Sequence, residues 1–225
     1  MKNNNPKGII IILIGMFIVS FMDATFKYIN TSVNLYEAYF VRTLISFGVI
    51  ASYLKITNKP IIFTTHYPLL TSLRVILFFF GFSSFYISLS IMPLAMATAL
   101  FFVSPFFITI LSIFFLNETI GFRRWFALII GFIGVILVMD PKINNFNIYT
   151  TFPVICAFFY ALTMIIQKKT SLEDSLYSQV FHIYIGTTIG SIIIGYVIGN
   201  GLYYDSSNDD FQFIFRAWSL NNVNI

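Results

Sequence analysis

Residues 74–139 are apolar almost throughout. Only two short breaks interrupt them: Met92-Pro93, and the polar cluster Asn117-Glu118-Thr119 followed by Arg123-Arg124. The runs between breaks are about 20 residues long, the length an α-helix needs to cross roughly 30 Å of hydrocarbon at about 1.5 Å per residue. A helix on the surface of a soluble core carries a polar face every few residues, and these runs carry none. The stretch reads as three membrane spans joined by tight turns.

Composition extends that reading to the whole chain. Only 10% of residues are charged and 58% are hydrophobic, whereas a soluble domain is about 25% charged. Such a chain cannot cover a globule with charge, and the lipid bilayer is its expected partner. The formal net charge of +4 is spread between the apolar runs rather than gathered in one patch, which argues against nucleic acid. Two histidines and one cysteine, all scattered, give no metal-ligand spacing, and no cofactor is expected. Cys156 stands alone in an apolar run, so no intrachain disulfide can form.

In order, spans are expected at about 8–28, 35–54, 69–91, 94–116, 122–139, 147–166 and 180–199. Lys2 and Lys7 before an apolar run superficially resemble a secretory signal. The run instead leads into Asp23 and Lys27 with no small-x-small cleavage site, and so reads as an uncleaved first span. Asp140-Pro141 closes a first unit. The tail at 201–225 is polar, and its FQFIFRAWSL is too short to span. Basic residues alternate with the spans: Lys2, Lys7, Lys55, Lys59, Arg123, Arg124, Lys168 and Lys169 fall on the N-terminal side, against Lys142 and little else opposite before Arg216. By the positive-inside rule the N-terminus is cytoplasmic. A faint repeat is visible. FMDATFKYI lies on FFYALTMII, with Tyr160 where Asp23 stands, and LYEAYFVR lies on LYSQVFHI.

The strings PLAMATALFFVSPFF and LNETIGFRRWFALIIGFIGVILV resemble the second half of an EamA domain, the repeat unit of the drug/metabolite transporter superfamily. The points of match are Pro93, Ser104-Pro105, Glu118, Arg124-Trp125, Gly131 and Gly134; upstream, Asp23, Lys27, Arg42 and Leu73-Arg74 resemble its first half. The resemblance covers 8–139 as one five-helix repeat and, more loosely, 147–200 as the start of a second, inverted one. It implies an all-α, polytopic transmembrane helix bundle in the plasma or inner membrane that moves a small metabolite, an amino-acid or S-adenosylmethionine-like solute, by alternating access rather than catalysing a reaction. Spans 1, 3, 4 and 6 would then line the cavity. Members have ten spans and this chain about seven. The other expectation is therefore a truncated, non-transporting membrane protein: a remnant, a structural chain or a partner subunit. A homo-oligomer or a second chain would complete the bundle.

Asp23 and Lys27 sit i, i+4 on one face, with the acid toward the N-terminus. Charge in mid-bilayer is costly, so the pair either lines a substrate path or is neutralised near the span end, with Lys27 snorkelling to the interface. Arg42 lies about two turns into span 2, where its planar fork suits a carboxylate or phosphate; the alternative is a structural pair with Asp23. Pro105 should kink span 4 beside the stripe Thr98, Phe101, Thr109 and Ser112, while Gly81, Ser84, Phe85 and Ser88 stripe span 3. Both stripes suit a cavity wall or close helix packing. The expected substrate-binding set is Asp23, Lys27, Arg42, Ser84, Phe85, Thr98, Phe101 and Pro105, with no catalytic or metal residue. Glu118 is expected to serve the N-terminal amides of span 5. Gly131, Gly134, Gly186 and Gly190 are expected to pack helices closely.

Overall fold

A computed structural model describes residues 5–29, 33–59, 63–139, 148–199 and 212–218. Asp140-Pro141, Lys142 and most of the 201–225 tail lie outside the described residues, as does Lys2. The helices are α1 (Asn5–Ile29), α2 (Leu35–Ile56), α3 (Pro68–Ile91), α4 (Leu94–Phe101), α5 (Ser104–Leu116), α6 (Phe122–Met139), α7 (Thr151–Thr170), α8 (Leu176–Ile198) and the single turn α9 (Gln212–Phe215). A 3-10 turn, Ile148–Thr150, leads into α7. No strand occurs among the described residues.

Helix ends follow local chemistry. The Asn34 side chain accepts from the Tyr36 amide at 2.8 Å, and Ser175 accepts from Ser178, so each begins a helix whose first amides lack carbonyl partners. Pro68 and Pro105 stand in first turns, where a missing N–H is harmless. Asn117 ends α5 in the left-handed region at φ 52°, a position asparagine tolerates better than most residues.

Among the described residues, six segments are long and apolar enough to cross a membrane, counting α4 and α5 together as 94–116. The fifth expected span, 122–139, forms the helix α6, whose 18 residues include the arginine pair in the first turn and which is not one of those six. Span 4 departs from expectation. Rather than bending at Pro105 it breaks at Phe102-Val103, where the amides shift to short i→i−3 bonds (Phe102 to Ala99, Val103 to Leu100) and α5 starts afresh. Pro105 has no N–H for the Phe101 carbonyl, so a clean restart places it where no donor is needed.

α3 and α7 form the spine; α2 packs along α8, and α5 packs along α7. Gly81 lets Phe159 of α7 approach α3, and Gly186 and Gly190 of α8 receive Val75 and Phe79 of α3. Gly131 and Gly134 behave differently: an added Cβ at either would meet nothing within 4 Å, so they mediate no close packing among the described residues. Among the described residues α1 stands at the edge, with Phe17 75% and Phe21 70% exposed, and its main contacts are with α3 and α4.

Contacts at the helix ends sort the loops. At one end Lys168 bonds Glu118, Lys59 bonds Tyr177, and the Thr65-His66 backbone and side chains bond Asp174. The α2–α3, α5–α6 and α7–α8 connections therefore share an end, together with the basic residues Lys55, Lys59, Arg123, Arg124, Lys168 and Lys169. Lys27 and Asn34 bind backbone at the opposite end.

Candidate functional site

Three helices bring unlike charges into an apolar interior. Asp23 lies six residues before the end of α1 and Arg42 seven residues into α2, so each sits about 10 Å inside its helix end. Their charges act on one another. The Arg42 guanidinium lies 5.2 Å from the centroid of the Tyr86 ring on α3, a cation–π distance. Tyr39, three residues before Arg42 and thus on its face, meets Tyr86 edge-on at 5.7 Å.

These groups are not saturated. The hydroxyls of Tyr39 and Tyr86 and the Nη1 of Arg42 are buried without a hydrogen-bond partner among the described residues. Tyr86 is 0% and Tyr39 2% exposed. Buried polar atoms in native proteins are paired as a rule, so three orphans around one charge mark a place suited to an anionic, hydrogen-bond-accepting group. An aromatic wall adjoins it: Phe85 to Phe101 at 5.6 Å, Phe101 to Tyr160 at 5.3 Å, and Phe82 to Tyr160 at 6.3 Å.

Of the expected residues, Asp23, Arg42, Phe85 and Phe101 fall around this region. Lys27 turns away from Asp23 and donates to the carbonyls of Leu89 (2.9 Å) and Met92 (2.7 Å), closing the end of α3. No ion pair joins it to Asp23. Ser84 is half-buried on α3. Thr98 bonds back to Leu94 and Ala95 within α4, and with Pro105 it lines a separate apolar cavity between α4–α5 and α6. Sequence reasoning missed Tyr39, Tyr86 and Tyr160. The i−3 spacing of Tyr39 from Arg42 was the available signal.

A second polar group closes the end that carries the basic residues. Arg74, 3% exposed, donates from Nη1 to Gln179 at 2.9 Å and from Nη2 to Gln167 at 3.3 Å, joining α3 to α8 and α7. Tyr67 donates to Glu173 at 2.8 Å, and the His66 ring lies 3.2 Å from Asp174. Burial pushes the Asp174 carboxyl up, but bonds from the Thr65 hydroxyl and from the His66 amide and ring outweigh it, so the carboxyl sits below its ordinary value. Glu118 is likewise lowered, chiefly by the hydrogen bond from Lys168. It thus serves the end of α7 rather than the α6 amides. No group of three metal-ligating side chains occurs among the described residues.

An all-helical bundle of membrane-crossing length, with opposed charges held inside it, defines a polytopic membrane protein. Residues 6–140 match the EamA-like transporter family, and the chain belongs to that family. The S-adenosylmethionine uptake transporter of Rickettsia bellii is 34% identical over 184 residues, covering 80% of this chain and 63% of that protein. That of Rickettsia prowazekii is 32% identical over 185 residues, covering 82% and 63%. The riboflavin transporter of Vibrio cholerae is 37% identical over 91 residues, covering 40% and 30%. The chain spans less than two thirds of the length of these relatives. No solved structure matches it.

Proposed function

We propose that this chain carries a small zwitterionic or anionic metabolite, of the amino-acid or S-adenosylmethionine-like class, across the plasma or inner membrane by alternating access. The observation that carries the reading is the half-buried Arg42, whose Nη1 is buried, beside Tyr39 and Tyr86 hydroxyls that have no partner among the described residues, with the Asp23 charge acting on the arginine. A substrate carboxylate would take the arginine fork, because two parallel charge-assisted bonds suit that planar group. Asp23 would take a cationic group, and the wall of Phe85, Phe101 and Tyr160 an apolar or ring portion. The names of the Rickettsia relatives agree with such a solute.

The N-terminus is assigned to the cytoplasm, since the basic residues share the end stitched by Asp174 and Glu118. The first repeat is assigned to 8–139 and the partial second to 147–200, with a second copy or another chain covering the exposed side of α1.

Uptake of labelled S-adenosylmethionine and amino acids into cells expressing the chain tests the reading. Saturable uptake above empty-vector cells is expected, with Asp23→Ala and Arg42→Lys each lowering it at equal expression. An inserted chain that takes up none of these solutes would support the non-transporting alternative. Uptake unchanged in both variants would remove this cluster from the path.

A further inference from the structure

The cavity between α4–α5 and α6 has a volume of about 680 Å³ and is lined by Ala99, Phe106, Ala127, Gly131 and Val135 among others. Its one hydroxyl, Thr98, is already bonded to Leu94 and Ala95 within its own helix, so the cavity makes no demand for a polar solute. Its depth comes from side chains that are missing: an added Cβ at Gly131 or Gly134 would meet nothing within 4 Å. From Ala127 to Val135 the α6 wall rises about 12 Å, at about 1.5 Å per residue.

Charge stands at one end of this groove. Arg124 precedes Ala127, Leu128 and Gly131 by three, four and seven residues, which places it on the groove face of α6; Arg123 precedes Ala127 by four. Both arginines are exposed. They occupy the first turn of α6, which holds no acidic residue, so they add to the positive end of the helix dipole instead of offsetting it. Glu118, six residues before Arg124, also acts on it, but its hydrogen-bond partner is Lys168.

We propose that this groove is a binding site for an anionic phospholipid, with one acyl chain lying against Ala127, Gly131 and Val135 and the headgroup phosphate held by Arg123 and Arg124. The occupant follows from charge complementarity. Any bilayer lipid can fill an apolar groove, but two arginines at its mouth select a negative headgroup, each contributing about fivefold in affinity near the surface. The site is separate from the Arg42 cluster and does not depend on the transport reading.

Native mass spectrometry of the purified full chain, titrated with phosphatidylglycerol or phosphatidylcholine of matched acyl chains, tests this. The expected result is preferential retention of phosphatidylglycerol. The preference should fall about fivefold in Arg124→Gln and about 25-fold in Arg123→Gln/Arg124→Gln. Ala127→Leu, which fills the groove, should weaken retention of both lipids. Lys55→Gln removes a cation from the same end but on α2, away from the groove, and should leave the preference unchanged; helicity and melting temperature report that each variant is folded. Equal retention of the two lipids by the unaltered chain would overturn the proposal. So would an unchanged preference in the double arginine variant, an equal loss in Lys55→Gln, or cross-linking of Gly131→Cys between two copies, which would make a second chain the occupant.

Discussion

Replacing Arg74 with methionine removes a buried cation while keeping a stem of similar length, and two effects then compete. Arg74 is 3% exposed, so taking the guanidinium away relieves a desolvation cost that amounts to several kcal/mol for a buried ion. Its Nε is also buried without a partner among the described residues, an expense the present arrangement already carries. Against this, Gln179 and Gln167 lose their donors at 2.9 and 3.3 Å. Gln179 is 2% exposed, and an orphaned buried acceptor costs about 1–3 kcal/mol. Interhelical hydrogen bonds in membranes average about 0.6 kcal/mol because the separated helices also find partners, which pulls the figure down. We expect the loss of two bonds and of the α3–α8 tie to prevail, with a net destabilisation of about 1–2 kcal/mol. For a chain of this size that lowers Tm by about 2–8 °C. Thermal unfolding in detergent, followed by circular dichroism, measures it, and a cycle with Gln179→Leu should return a coupling of about 0.5–1.5 kcal/mol. A variant that melts at or above the parent, or a coupling near zero, would show that desolvation outweighs the fork and would refute the reasoning.

Other outcomes follow from particular contacts. Gly186→Val should destabilise by about 2 kcal/mol or more, because the new side chain meets Val75 on α3; Val75→Ala in the same chain should recover part of the loss in the same melting assay. Gly134→Ala, with open space around it, should be neutral or stabilise by up to about 1 kcal/mol through helix propensity. Lys27→Met should free the end of α1, since two carbonyl bonds are lost, and a cysteine placed at Tyr28 should then react faster with a membrane-impermeant maleimide. The Glu118 and Asp174 carboxyls are both held low by their partners, so their contribution is present above the ordinary carboxylate range near 4 and lost as pH falls through the lowered values. Tm should therefore fall between pH 5 and pH 3, at about those bounds, and Glu118→Gln with Asp174→Asn should flatten that slope.

The spans were legible because a bilayer demands long apolar runs and because Met92-Pro93 and Asn117-Glu118 punctuate them in plain view. The restart of span 4 was not legible at its true place, since Phe102-Val103 carries no polar or glycine signal and only Pro105, two residues on, hints at it. Local spacing misled at Lys27. It lies one turn from Asp23, yet its stem reaches carbonyls 62 and 65 residues away, partners that no helical period specifies. Glu118 erred in the same way, its lysine standing 50 residues along the chain. Tyr39 and Tyr86 were lost among 13 tyrosines; what sets them apart is that their buried hydroxyls have no partner among the described residues, a property of packing rather than of sequence.

The solitary position of α1 has a consequence for how the molecule is made. Its partners, Tyr86, Leu89 and Met92, lie some 60 residues further along the chain, and synthesis proceeds at about 5–20 residues per second. For roughly 3–12 s, then, the first helix has no protein neighbour from α3 to rest on. A helix apolar on every side up to Ser20 suits that interval, because lipid alone can surround that part of it. The lysine near its far end then becomes a late fastener, closing only when α3 has arrived and its last turn offers two carbonyls.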